Sequence, residues 1–235
     1  MTALLISILT VTLRAGTSLI YATVGEIYTE RSGILNLGVE GIMLMGAVAA
    51  FAAGYYTDSV WVGVGAALIV GFLLALIHAF LSVTMRANQV VSGLSITLFG
   101  SGMASFLGQR LGPESNNRYL VGLEGPQFES ISQYLPFLKN IPVIGALDIL
   151  TLFLIVLVPL AWFYLYKTRN GLNLRAVGEN PQTADAMGID VIRQRYLYTL
   201  LGGMLVSLGG AHLSLAYTRG WAENITGGRG WIVIA

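Results

Sequence analysis

Residues 60–84, VWVGVGAALIVGFLLALIHAFLSVT, run for 25 positions without an Asp, Glu, Lys or Arg. As an α-helix rising about 1.5 Å per residue, this segment exceeds the roughly 30 Å hydrocarbon core of a bilayer. Lipid accepts such a segment only as a helix, which satisfies every backbone N–H and C=O internally. Five further windows have similar length and polarity: 3–24, 34–56, 89–109, 147–166 and 196–217. Charged residues make up 11% of the chain, against about 25% in a soluble domain, so there are too few to clothe a water-exposed surface. The fold class is therefore all-α, a polytopic integral membrane helix bundle of about six spans, with 1–235 forming one transmembrane domain.

Composition also removes several functions. A formal net charge of +1 with no basic stripe offers no footprint for nucleic acid. The absence of cysteine excludes disulfides, thiolate catalysis and Cys-type zinc sites. Met1 to Thr12 lack a charged n-region and an Ala-x-Ala cleavage site, so they read as the start of the first span and not as a signal peptide. Trp231 to Ala235 open an apolar run that stops after five positions, where a span needs about 20. The chain is therefore expected to be a piece of a longer protein.

Basic residues set the orientation. Segment 167–195 carries Lys167, Arg169, Arg175, Arg193 and Arg195, whereas the longer loop 110–146 holds only Arg110, Arg118 and Lys139. The positive-inside rule puts 167–195 in the cytoplasm together with Arg31 and Arg86. Loop 110–146, with Pro113, Pro126, Pro136 and Pro142, then faces outward as a turn-rich segment.

Between the last two spans, GLNLRAVGENPQTADAMGID (171–190) contains a small helix with its own start and stop signals. Asn180 is suited to accept from free backbone N–H groups, and Pro181 fits the first helical position. Gly188 suits a left-handed C-cap. Two turns do not persist alone in water, so this helix needs a surface: either the membrane face of its own chain or a partner's groove.

Among the spans, Glu40 is expected to be the acid placed well inside an apolar run, with Asn36 four residues earlier on the same helical face. The pair reads either as a polar patch lining a translocation path or as a structural hydrogen-bonded couple. Gly63, Ala67, Gly71, Ala75 and Ala79 recur every four residues, a stripe that lets another helix approach closely. His78 borders the stripe and is expected to hydrogen-bond across that interface. His212 is the only other histidine, so no metal set is expected. In the fourth span, Ser92, Ser95, Gly102 and Ser105 share a broad face that either offers hydroxyls to a polar solute or bonds its own helix. Asn88 suits its N-cap, and Gln89 stands at its cytoplasmic mouth. Residues 221–230 are glycine-rich but lack the Gly-Lys-Ser/Thr ending of a phosphate loop, and no other nucleotide motif is present. Energy must then come from another subunit or from an ion gradient.

LRAVGENPQTADAMGI (174–189) resembles the cytoplasmic coupling segment of ABC importer permeases of the ribose and branched-chain amino acid type. GEIYTERSGILNLGVEGIMLMGA (25–47), ANQVVSGLSITLFGSGMASFL (87–107) and GGRGWIVIA (227–235) are similar to the nucleoside and simple-sugar branch of that family, in the same order. The resemblance implies a transport subunit and not an enzyme, with no cofactor, in the cytoplasmic membrane. It implies a cytoplasmic ATP-binding subunit, a second identical or homologous permease subunit, an extracytoplasmic substrate-binding protein and surrounding membrane lipid as partners. Its substrate would be a nucleoside or simple sugar moved by alternating access. Carried onto this sequence, Arg175, Gly178, Asn180, Ala184 and Gly188 become coupling residues, with Gly178 and Gly188 giving turns and Ala184 permitting close approach of the ATPase. Asn36, Glu40, Gln89, Ser92 and Ser95 become candidates for the path. Two other classes stand beside this one. An ion-coupled secondary transporter would have to rely on Glu40, and an intramembrane enzyme lacks any nucleophile–base or ligand spacing.

Overall fold

A computed structural model describes residues 2–110, 125–134 and 143–235. Six helices among them are long and apolar enough to cross a membrane: Leu4–Arg31, Val39–Thr57, Val60–Thr84, Gln89–Gly108, Ile149–Lys167 and Val191–Tyr217. The elements are α1 (Thr2–Arg31), α2 (Val39–Thr57), α3 (Val60–Ala79), α4 (Gln89–Gly108), the short α5 (Ile131–Tyr134), α6 (Ile149–Lys167), α7 (Arg169–Glu179), α8 (Pro181–Ala186), α9 (Val191–His212) and α10 (Arg229–Ile234). Two of the long helices end in π-helical turns, α3 through Phe80–Thr84 and α9 through Leu213–Tyr217.

Helix α9 is the hub. Its most apolar window is 83% buried, against 17% for α1. The cause is the stretch GGMLVSLGG, residues 202–210, whose glycines face three different neighbours. Gly202 lies on Gly25 of α1, Gly203 on Gly71 and Ala75 of α3, and Gly210 on Met43 and Ala47 of α2. In lipid, close backbone approach replaces the hydrophobic drive that packs helices in water. The small-residue stripe of α3 supplies the facing surface: Gly63, Ala67, Gly71, Ala75 and Ala79 are all buried. Ser207 donates to Ala67 O at 2.6 Å, adding a hydrogen bond to that seam.

The opposite helix faces stay apolar and open. Ile69 is 62% exposed, Val156 56% and Leu160 56%, an arrangement only lipid or further apolar protein tolerates. The second span begins later than its hydropathy suggests. Residues 34–38 are not helical, and α2 starts at Val39. Gly33, at φ +83°, turns the chain out of α1. The expected helical face shared by Asn36 and Glu40 therefore does not exist.

Of the loop expected over 110–146, residues 111–124 and 135–142 lie outside the described residues. The described part packs on the C-terminal ends of α2 and α9. Phe128 N donates to Leu215 O at 3.0 Å, and Ser130 forms an isolated bridge with Asp148.

Candidate functional site

Non-helical backbone inside a membrane bundle must find partners for its polar groups, and residues 32–38, here called the strap, find them in side chains from four helices, α1, α3, α4 and α9. Glu26 of α1 accepts from Asn36 N at 3.2 Å. Gln89 at the start of α4 accepts from Leu35 N at 2.8 Å, and Thr97 donates to Leu37 O at 2.8 Å. His78 Nε2 lies 3.1 Å from Leu35 O and its Nδ1 lies 3.0 Å from Ser92 Oγ. With the tautomer that donates from Nε2, the imidazole accepts from Ser92 and ties α3, α4 and the strap together. Asn36 Oδ1 accepts from Gly38 N at 2.9 Å, which turns the strap into α2.

Glu40 follows at the first turn of α2. Its neighbour Gly41 lies against Ile96 and Thr97, eight residues past Gln89, so the carboxylate sits roughly 12 Å in from the basic end of the bundle. The side chain is 4% exposed. Oε1 accepts from Thr226 Oγ1 and from Gly228 N at 3.1 Å, and Oε2 accepts from Gly230 N at 2.6 Å. After α9 the chain therefore comes back into the bundle. Trp221 packs on Gly108 at the C-terminal end of α4, and Thr226 reaches Glu40 near the level of Thr97, roughly 16 Å back along the helix. A buried carboxylate that holds a returning loop by three donors is a latch.

The sequence-predicted path residues thus separate. Asn36, Gln89 and Ser92 serve the strap. Glu40 binds the returning loop and makes no pair with Asn36. Ser95 is exposed and donates to its own helix at Val91 O, 2.8 Å away. Glu40 is not alone among buried acids: α1 continues past residue 24, and its Glu26 is 3% exposed. Ending the first span at 24 hid it.

At the basic end, α7 and α8 form the polar segment. Asn180 Oδ1 accepts from Thr183 N at 3.0 Å, Pro181 opens α8, and Gly188 turns at φ +81°. Two expectations change here. Gly178 is inside α7 and makes no turn; a Cβ there would collide with Arg31 O, so glycine is needed to seat α7 on the end of α1. Ala184 is 3% exposed and faces its own chain, because a small residue lets α8 lie flat. The face α8 presents outward carries Gln182, Thr183, Asp185 and Met187, the last 78% exposed. Arg175 is half-buried and stacks over Tyr166 at 5.1 Å. Arg195 donates to Ser32 O at 3.3 Å, so the polar segment, the start of α9 and the strap share one joint.

Over residues 7–235 the chain matches the family described as the branched-chain amino acid transport system permease component. The chain belongs to this permease family. Relatives agree. The "Putative glucose ABC transporter permease protein" of Haloferax volcanii is 41% identical over 97% of this chain and 68% of its own length. A nucleoside ABC transporter permease protein of Lactococcus lactis is 35% identical over 93% of this chain and 70% of its own. A guanosine ABC transporter permease protein of Bacillus subtilis is 31% identical over 92% and 70%. No solved structure matches the chain. The permease is a multi-pass protein of the cell membrane and a transport component of an ABC system, which displaces the ion-coupled reading built on Glu40.

The permease holds a second buried polar cluster, at the end of the bundle away from the basic segment, that the sequence reading missed. Asp148 caps α6, accepting from Thr151 N and Thr151 Oγ1, both at 2.9 Å. Arg14 Nε lies 3.7 Å and His212 Nε2 3.5 Å from its Oδ2. Arg14 also donates to Ala216 O at 2.7 Å. These contacts join α1, α6 and α9. A signal was available: Arg14 interrupts the first span and His212 lies in the last, and each needs a partner in lipid. Asp148, however, looks like a span boundary in sequence.

Proposed function

We propose that this permease carries a simple sugar or nucleoside inward by alternating access, as the membrane subunit of an importer powered by a cytoplasmic ATP-hydrolysing partner. A second permease subunit and an external substrate-binding protein complete the system in this reading. The substrate class rests on the relatives, which are named as glucose, nucleoside and guanosine permeases. The inward orientation rests on basic residues: Arg31, Arg175, Arg193 and Arg195 lie at or beside the joint of α1, α7 and α9.

The observation that carries the coupling role is α8 itself. It is capped at both ends, seated through Ala184 and exposes Met187 and Asp185 beyond the basic end of the bundle. An exposed methionine on a braced helix suits a groove in a partner. Movement of that groove would push α8 and α7 against Arg31 through Gly178. The push then reaches the strap, the start of α2 and the Glu40 latch. Because packed interfaces switch between discrete arrangements, such a shift can open one end of the bundle and close the other.

The test is ATP-driven uptake of labelled D-glucose and guanosine by the permease reconstituted with its ATPase and binding protein. Met187→Lys should lower ATPase co-purification and uptake by about ten-fold or more, the cost of losing one well-packed anchor, while leaving the permease's melting temperature unchanged. Ala184→Arg, by contrast, should lower that melting temperature because its side chain meets the permease's own surface. Undiminished uptake and ATPase binding in Met187→Lys would remove α8 from the coupling role.

A further inference from the structure

Above the Glu40 latch, the returning segment 218–228 and the C-terminal half of α4 form a half-open pocket of about 170 Å³, along which Glu223 and Asn224 are exposed. At about 30 Å³ per water, that is space for roughly six waters, which suits one furanose or pyranose ring with its hydroxyls. Leu44 of α2 and Ala104 of α4 give it an apolar side, while Ser101, Ser105, Glu223 and Asn224 give it a polar one. Trp221 completes the wall. It is 4% exposed and rests on Gly108, where any side chain would collide with the indole. Asn224 sits at φ 56°, a left-handed conformation that asparagine tolerates, and its carbonyl accepts from Gly227 N at 2.9 Å to close the turn. Ser101 donates to Leu98 O of its own helix, which leaves its oxygen free to accept.

We infer that this cavity is a recognition site for the sugar ring of the transported solute, with Glu223 and Asn224 as its hydrogen-bonding residues; this rests on the sugar or nucleoside reading above. An adjacent carboxylate and carboxamide together accept from and donate to neighbouring ring hydroxyls. An aromatic wall and an apolar side complement the C–H faces of the same ring. Glucose and guanosine, named for the relatives, share such a hydroxylated ring and little else, so one ring-sized site serves both. The lining holds no cation, and Glu223 repels anions, so the site takes neutral solutes and refuses phosphorylated ones. The latch sets its floor: Glu40 fixes Thr226, Gly228 and Gly230 immediately after the recognition residues.

The test uses the full-length permease in lipid nanodiscs with every tryptophan except Trp221 replaced by Phe, Trp61, Trp162 and Trp231 among them, which leaves Trp221 as the reporter. D-glucose and D-ribose are each expected to change its fluorescence saturably, and glucose 6-phosphate is not. Glu223→Gln, which removes one charged hydrogen bond, should weaken the titration about ten-fold. Ser105→Phe, which fills the cavity, should abolish it. No saturable change with either neutral sugar, or a titration indifferent to both substitutions, would overturn the site. Uptake measured in parallel separates the two readings. If the wild-type importer takes up neither D-glucose nor guanosine with ATP, the substrate class itself fails. If uptake is intact but the titration is flat, only the cavity assignment fails.

Discussion

Glu40→Ala is expected to abolish transport while leaving the bundle inserted. The carboxylate accepts from Thr226 Oγ1 and from the backbone N–H groups of Gly228 and Gly230 in an apolar surrounding. Removing it leaves three donors without acceptors. At about 1–3 kcal/mol for each unsatisfied buried group, the returned position of segment 218–228 becomes unfavourable by several kcal/mol. With about 1.4 kcal/mol per factor of ten, uptake should fall about 100-fold or more. Glu40→Gln separates charge from shape. The amide keeps one accepting oxygen but turns an N–H₂ toward a backbone donor, so it should retain part of the activity and never all of it. Proteolysis within 218–228, slow in the wild type and fast in Glu40→Ala, reads the released loop directly. Wild-type uptake in Glu40→Ala would mean that the latch holds nothing transport needs.

Gly210→Val should have the other large effect, on folding itself. A Cβ at 210 would overlap Met43 O and sit 2.9 Å from Ala47 N, backbone atoms that cannot rotate away. Valine adds two methyl groups to that overlap. Helices α2 and α9 must then part, and with them the burial of the hub helix. The loss should exceed the usual 1–3 kcal/mol of overpacking, because backbone meets backbone. The expected outcome is little or no monodisperse permease on size-exclusion chromatography in detergent. Gly65→Ala is the control, since a Cβ there meets nothing within 4 Å although it lies on the same helix as the stripe. Equal yields for the two variants would refute the account of α9 as the hub.

The two effects differ in how far the sequence exposed them. The five small residues from Gly63 to Ala79 recur every four positions, so their common face follows from helical period alone. Their partner does not. The glycine pairs of 202–210 lie seven residues apart, close to one face of a helix, yet in the bundle they serve three helices at once. Glu40 stood out because an acid in an apolar run is costly wherever it lies. Its partners lie 186 to 190 residues away in the chain. Asn36, four residues away, was the local choice, and local spacing was the wrong guide because the backbone there is not helical. Ala184 and Gly178 teach the same lesson at the basic end. The caps of α8 were legible, being contacts within one helix, but which side of α8 faces inward depended on α7 and α9, against which it packs.

By itself, the sequence determined what depends on near neighbours and on the solvent: six apolar spans, the capped helix at 180–188, the small-residue stripe and the coupling-type motif. Hydrophobic length, cap chemistry and helical period act over at most a few turns, so a linear reading captures them. The tertiary structure alone decided that residues 32–38 leave the helix, that 218–228 returns into the bundle, and that Glu40 closes on that return. Each brings polar backbone into an apolar interior, and the groups that satisfy it come from whichever distant helix the packing places beside it.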